Sequence, residues 1–235
     1  MYRARKAAIR MSDDPKVKAA ETWFGYGRWN APYWFIGKEP GGTDEPEQYA
    51  SWLRLGGGEL IDCRQHDRDC ASDESKMLWH GPNAKLQPTW RPLIALLLAY
   101  QGESAYDSEA VRHYQSESWG TVTGDSAVVE LSAVAAPSTS VAEAKRLTHL
   151  EARIATIQAH VEAERPKFVL FYGGGNDAIF GKPYIERWSK IAGVDLTQNQ
   201  IAIRNGIAYV ATPHPTAHGI TNDFWLDLGR QLATK

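Results

Sequence analysis

The chain has 235 residues, 43% of them hydrophobic and 23% charged, with a formal net charge of −2. That apolar content excludes a disordered chain, and the length supports a core without covalent staples. The near-neutral charge excludes coating of nucleic acid by bulk electrostatics, and two cysteines, Cys63 and Cys70, exclude a disulfide framework or a four-thiolate metal site.

The first ten residues carry Arg3, Arg5, Lys6 and Arg10 and no acid, which makes either a phosphate-facing arm or a solvated terminus. No apolar stretch stands behind them, so no secretory signal is expected. The longest apolar run, Leu93 to Tyr100, is too short to span a bilayer. These features predict a cytoplasmic monomer that makes no membrane contact.

Tyr33–Gly37 is a wholly apolar run ending in turn residues, the pattern of a buried strand. Pro46–Leu55 reads as a helix with proline in its first turn, closed by Gly56 to Gly58. Residues 59–87 have little apolar periodicity and many charges, and are expected to form a long irregular insertion. Thr89–Tyr100 is a buried helix, Ser108–Trp119 a more exposed one, and Ala127–Val134 a second strand. Thr148 and Glu151 form a capping box for a helix that runs to about Arg165 and stops before Pro166. Phe168–Tyr172 is a third strand, and Gly173 to Gly175 follow it at once. Gln200–Arg204 and Ile207–Thr212 flank Asn205-Gly206, a hairpin signal, and Asp223–Ala233 is a last helix.

Strands that alternate with helices predict a single α/β domain, a three-layer α/β/α sandwich around a mostly parallel sheet of about four strands. In open α/β sheets ligands bind outside the carboxyl ends of the strands. The loops Gly37–Gly42, Ala135–Ser140, Gly173–Asp177 and Pro213–Gly219 are therefore the expected site. The run Gly173 to Ala178 fits the permissive dinucleotide pattern, but no helix of normal length precedes Pro183 and no acidic ribose ligand follows. Pro183 also stands where a phosphate-binding loop needs Ser or Thr, so no cofactor is expected. His214 and His218 have metal-like spacing and could make a zinc site with Cys63, His66 or Asp223, yet nothing fixes those further ligands, and no metal is expected.

Gly37-Lys38-Glu39-Pro40-Gly41 delivers a carboxylate from a buried strand into a turn pinned by proline. Pro213-His214-Pro215-Thr216 presents an imidazole from a rigid loop after the last strand. Carboxylate and imidazole on opposite loops of one cleft are the equipment for hydrolysing a bond with an anionic leaving group.

These two motifs, at matching strand ends, resemble the uracil-DNA glycosylase superfamily. Its first motif takes forms such as Gly-Gln-Asp-Pro-Tyr-His, Gly-Glu-Ala-Pro-Gly or Gly-(Ile/Met)-Asn-Pro-Gly, and its second is usually His-Pro-Ser. The resemblance spans roughly residues 33–232. It implies that Glu39 positions or activates the attacking water and that His214 donates to the uracil O2. It implies a base pocket of Gly37, Lys38, Gly41, Tyr49, Trp52 and Ser132. Ser132 matches the Asn that reads the pyrimidine edge, and Tyr49 or Trp52 supplies a stacking ring, with helical core packing the other role open to both. Gly41 replaces the bulky Tyr that excludes thymine in the main branch. Ser132 offers one hydroxyl where an amide makes two contacts, the cysteines of the iron–sulfur branches are absent, and Ala217-His218 replaces a large apolar residue.

On this reading a base is flipped out of uracil-containing DNA, held by stacking and released by N-glycosidic cleavage. Phosphate contacts are expected from Thr216, His218, Lys182 and the N-terminal arm. Two other functions remain open: hydrolysis of a free nucleoside or nucleotide, and non-catalytic binding on the same fold.

Overall fold

A computed structural model describes residues 14–42, 45–55, 58–135, 149–173, 182–196 and 200–235. The basic N-terminal arm, Thr148 of the expected capping box, and Gly174 with Gly175 lie outside the described residues.

Helix α1 (Pro15–Thr22) starts at Asp14, whose carboxylate accepts from the Lys16 N–H at 2.9 Å. There follow β1 (Gly25–Tyr26), β2 (Tyr33–Gly37), α2 (Pro46–Leu53), β3 (Leu60–Ile61), α3 (Cys63–Cys70), a short 3-10 turn (Glu74–Lys76), α4 (Trp90–Tyr100) and α5 (Ser108–Glu117). The second half comprises β4 (Ser126–Glu130), α6 (Leu150–Glu164), β5 (Phe168–Tyr172), α7 (Lys182–Ala192), β6 (Ala202–Arg204), β7 (Ile207–Thr212) and α8 (Asn222–Ala233).

One mixed sheet takes the order β3-β1-β4-β2-β5-β7-β6. The central strands β4, β2, β5 and β7 are parallel, whereas β1–β4 and β6–β7 pair antiparallel. The expectation of about four strands is thus corrected to seven among the described residues. The additional ones are β1 and β3, whose two residues each are too few to show a period of two, and the edge strand β6, which the hairpin signal places at Gln200–Arg204. The Asn205-Gly206 hairpin forms as expected, with φ of 53° and 77°.

Strand alternation divides the core. Trp34, Ile36, Val129, Phe171 and Ala211 face α6 and α7 on one side. Tyr33, Phe35, Val128, Leu170, Tyr172 and Val210 face α4, α5 and α8 on the other. A third cluster joins α1, α2 and the segment after β4 through Trp23, Tyr49, Trp52 and Ala133.

The expected irregular insertion at 59–87 contains β3, α3 and the 3-10 turn. Helix α3 is polar throughout (CRQHDRDC) and buries only Cys63 and Asp67, so it has no apolar stripe to read. Asp62 holds it in place: one carboxylate oxygen caps Gln65 N–H at 2.8 Å and the other accepts from Val122 N–H at 2.8 Å. Strand β4 ends at Glu130, four residues short of the expected Val134, because the apolar residues after it are buried outside the sheet.

Arg153 of α6 ties this end of β4 down. Its guanidinium donates to the backbone oxygens of Glu130 (2.7 Å), Leu131 (2.9 Å), Trp23 (2.8 Å) and Ala20 (3.0 Å), and it lies 4.1 Å from the Phe24 ring centroid. No described helix is long and apolar enough to cross a membrane.

A candidate active site at the carboxyl ends of the parallel strands

Register places three residues at one level. Gly37 of β2 pairs with Glu130 of β4, and Ile36 pairs with Phe171, which brings Gly37 beside Tyr172 of β5. All three share the strand parity of Phe35, Val128 and Leu170, so they point to the α4 face. Glycine at 37 is a spatial requirement: a Cβ there would lie 2.5 Å from Glu130 Oε2 and 2.6 Å from the Tyr172 hydroxyl.

Above this level a cavity of about 220 Å³ opens. Glu39, Pro40 and Gly41 line it from the turn after β2, Glu130 and Tyr172 from the strand ends, and His214 from the loop after β7. Gln87, Thr89 and Trp90 close it from the start of α4. Glu39 and His214, expected on opposite loops of one cleft, line one cavity. A second cavity, of about 510 Å³, shares Pro40, Gly41, Gln87, Trp90 and Glu130 with the first and extends toward α3. Tyr26, Trp52, Trp79 and Trp90 give it four aromatic walls.

The protonation state of His214 follows from its neighbours. Nδ1 accepts the Thr216 backbone N–H at 3.2 Å, and the Thr216 hydroxyl sits 2.8 Å from the same nitrogen. A backbone N–H only donates, so in the neutral ring the proton resides on Nε2. His214 is reached by solvent, yet the loops around it desolvate the ring and the Lys38 ammonium repels a second charge, so its pKa lies below the usual 6.5. The site therefore presents a neutral Nε2–H donor.

Glu130 was not among the residues expected here. It is 7% exposed, its Oε1 accepts the Tyr172 hydroxyl at 3.4 Å, and its Oε2 has no hydrogen-bond partner. Burial first, and then the negative charge of Glu39, raise its pKa to about 8. Two carboxyl groups thus line one cavity, and that of Glu130 holds its proton well above the usual carboxylate range. A lone acid in the run AVVELSAV was the available signal.

The other expected residues are distributed unevenly. Lys38 sends its Nζ to 4.6 Å from the Tyr184 ring centroid, and its carbonyl accepts from Ser132 N–H at 2.9 Å. Ser132, expected to read the base, lines neither cavity; its hydroxyl accepts the Val134 N–H at 3.1 Å in the turn beyond β4. Tyr49 also lines neither cavity, being packed edge-on against Trp52 with 1% exposure. Trp52 borders the larger cavity, but stacks on Trp23 at 3.9 Å and 4°. For Tyr49 core packing is the observed role. Thr216 holds His214, His218 is exposed on the same loop, and Lys182 is the first residue of α7.

Among the described residues no group of three or more His, Cys, Asp or Glu could hold a metal ion. No protein-family model matches the chain, and no curated protein matches it significantly.

Proposed function

We propose that this chain is an N-glycosyl hydrolase of the uracil-DNA glycosylase type, which releases uracil or a related damaged base flipped out of DNA and so initiates base excision repair. The observation that carries the reading is the meeting of Glu39 and a neutral His214 at one cavity beyond the parallel strand ends. Breaking the C1′–N bond leaves positive charge on the sugar and an electron pair on the departing base. Glu39 orients a water molecule toward C1′ and receives its proton as the new C–O bond forms, while its charge stabilises the sugar cation. His214 donates from Nε2 to the oxygen of the base that becomes anionic, a bond that strengthens as the reaction proceeds. The aromatic walls of the adjoining cavity hold the ring.

The test is incubation with an oligonucleotide that contains one uracil, followed by alkali. Strand scission at that position supports the proposal. The net charge of −2 favours a second reading, hydrolysis of free nucleosides. Base release from deoxyuridine without scission of the oligonucleotide would establish that reading. Retention of the oligonucleotide with no release from either substrate would point to a binding protein.

A further inference from the structure

The buried carboxyl of Glu130 has no part in the bond cleavage described above, yet it occupies the wall common to both cavities. Its two oxygens are not equivalent. Oε1 is engaged by the Tyr172 hydroxyl, whereas Oε2 is buried without a partner. A Cβ at Gly37 would lie 2.5 Å from Oε2, so the glycine leaves room for the carboxyl at the end of β4. A buried polar atom without a partner is costly unless a ligand completes it.

We propose that Glu130 is a specificity-determining residue of the base pocket, whose Oε2 donates a hydrogen bond to a carbonyl oxygen of the bound base when neutral and accepts one from an exocyclic amino group when ionised. The inference rests on the cavity being a base pocket, but it does not require that the base come from DNA. Because Tyr172 donates to Oε1, the proton of the neutral acid belongs on Oε2, the oxygen without a partner in the protein. A ring with an oxygen at that edge, as in uracil, satisfies it. A ring with an amino group there, as in cytosine, sets donor against donor, and the mismatch leaves both groups unpaired.

The charges that face Glu130 come from several elements. Glu39, from the turn after β2, disfavours ionisation, whereas Tyr172 of β5 and Arg153 of α6 favour it, and burial outweighs both of the latter. Tyr26 of β1 couples to it electrostatically. His214 shares the smaller cavity with it, and His66 and Asp67 of α3 share the larger one. With the transition near pH 8, ionisation begins within the range where a folded protein is measured.

Calorimetric binding of free uracil and free cytosine to the full chain at pH 6.5, 8 and 9 tests the assignment. At pH 6.5 wild type should prefer uracil by about tenfold or more. Its uracil affinity should fall about tenfold by pH 9, as the neutral fraction shrinks, while cytosine gains. Glu130→Gln keeps a donor at every pH, so its profile should lose this fall and also reveals any titration of the ligand itself. Tyr172→Phe removes a hydrogen bond that favours ionisation, so the midpoint should move to higher pH. Identical profiles for wild type and Glu130→Gln, or a midpoint unmoved in Tyr172→Phe, would overturn the assignment. Failure of the glycosylase reading has a different signature: no scission of the uracil oligonucleotide, with the pH-dependent choice between free bases intact.

Discussion

Gly37 and Glu130 are paired across adjacent parallel strands, and the absent side chain of the first is the space that receives the carboxyl of the second. The last residue of β2 thus sets the shape of the cavity floor without touching a ligand. Gly37→Ala should displace Glu130 and Tyr172 together, since both would stand within 2.7 Å of the new methyl group. The clash falls on side-chain ends, so the variant should fold, with a loss of about 1–3 kcal/mol in thermal melts. Its turnover should fall much further than its stability. An unchanged affinity for the base would show that Glu130 lies outside the pocket.

Glu39→Gln and His214→Ala should both slow base release, by different routes. Loss of a general base costs about 10²–10⁴-fold. Loss of a donor to the developing anion costs on the order of 10²–10³-fold. The His214→Ala deficit should shrink for bases that leave more readily, whereas the Glu39→Gln deficit should not follow it. Single-turnover rates on a graded series of leaving bases separate the two.

The bond from Thr216 to His214 makes a prediction about acid. Protonation would place a second proton on Nδ1, against the backbone N–H already directed at it. Turnover should therefore have an acid limb below pH 6.5, because the folded-state pKa is lowered by desolvation and Lys38. The sign for stability is the same: what this group contributes is present above 6.5 and is lost as pH falls through the lower folded value. Thr216→Val keeps the backbone N–H and removes only the hydroxyl, so its turnover should drop less than tenfold. A drop as large as that of His214→Ala would give the hydroxyl a role of its own.

Glu130 works in the opposite direction. Its carboxyl retains a proton to about pH 8 in the folded chain, whereas the unfolded chain releases it near 4.5. The unfolded state then binds fewer protons in that window, so stability falls as pH rises from 4.5 to 8, by up to about 5 kcal/mol. Glu130→Gln removes this dependence. Melts from pH 4 to 9 should show the variant gaining on wild type across the window and melting above it at pH 8.5. A constant difference between the two would mean that the carboxyl is not held neutral.

Glu39 and His214 could be read from sequence because each follows a five- or six-residue apolar strand by two positions, where chemistry in an α/β sheet concentrates. The boundary of β4 could not. Leu131 to Ala135 are as apolar as the strand before them, yet Leu131 packs into the core beneath α6 and α7, and Ala133 and Ala135 pack against α1 and α2, beyond the end of the ladder. The resemblance points to Ser132 in that stretch, whereas Glu130, the last residue of the ladder, lines both cavities. Tyr49 and Trp52 had the composition of a stacking platform, but a two-turn helix has to bury its aromatic face, and Trp23 was the nearest surface. The walls of the larger cavity come from a polar segment whose order depends on Asp62 and on Asp67, which accepts three consecutive backbone N–H groups from Leu78 to His80. Such long-range capping leaves no periodic trace.

Arg153 has a consequence for how the molecule is made. Its four acceptors, on residues 20, 23, 130 and 131, all leave the ribosome before it does, and His214 follows about 60 residues later, several seconds at ~5–20 residues per second. During the first interval the carbonyls of Ala20, Trp23, Glu130 and Leu131 lack the guanidinium that draws them together. During the second, both carboxyl groups can be in place with no imidazole opposite. A nascent or C-terminally clipped chain in that interval would hold two acids with no imidazole opposite them.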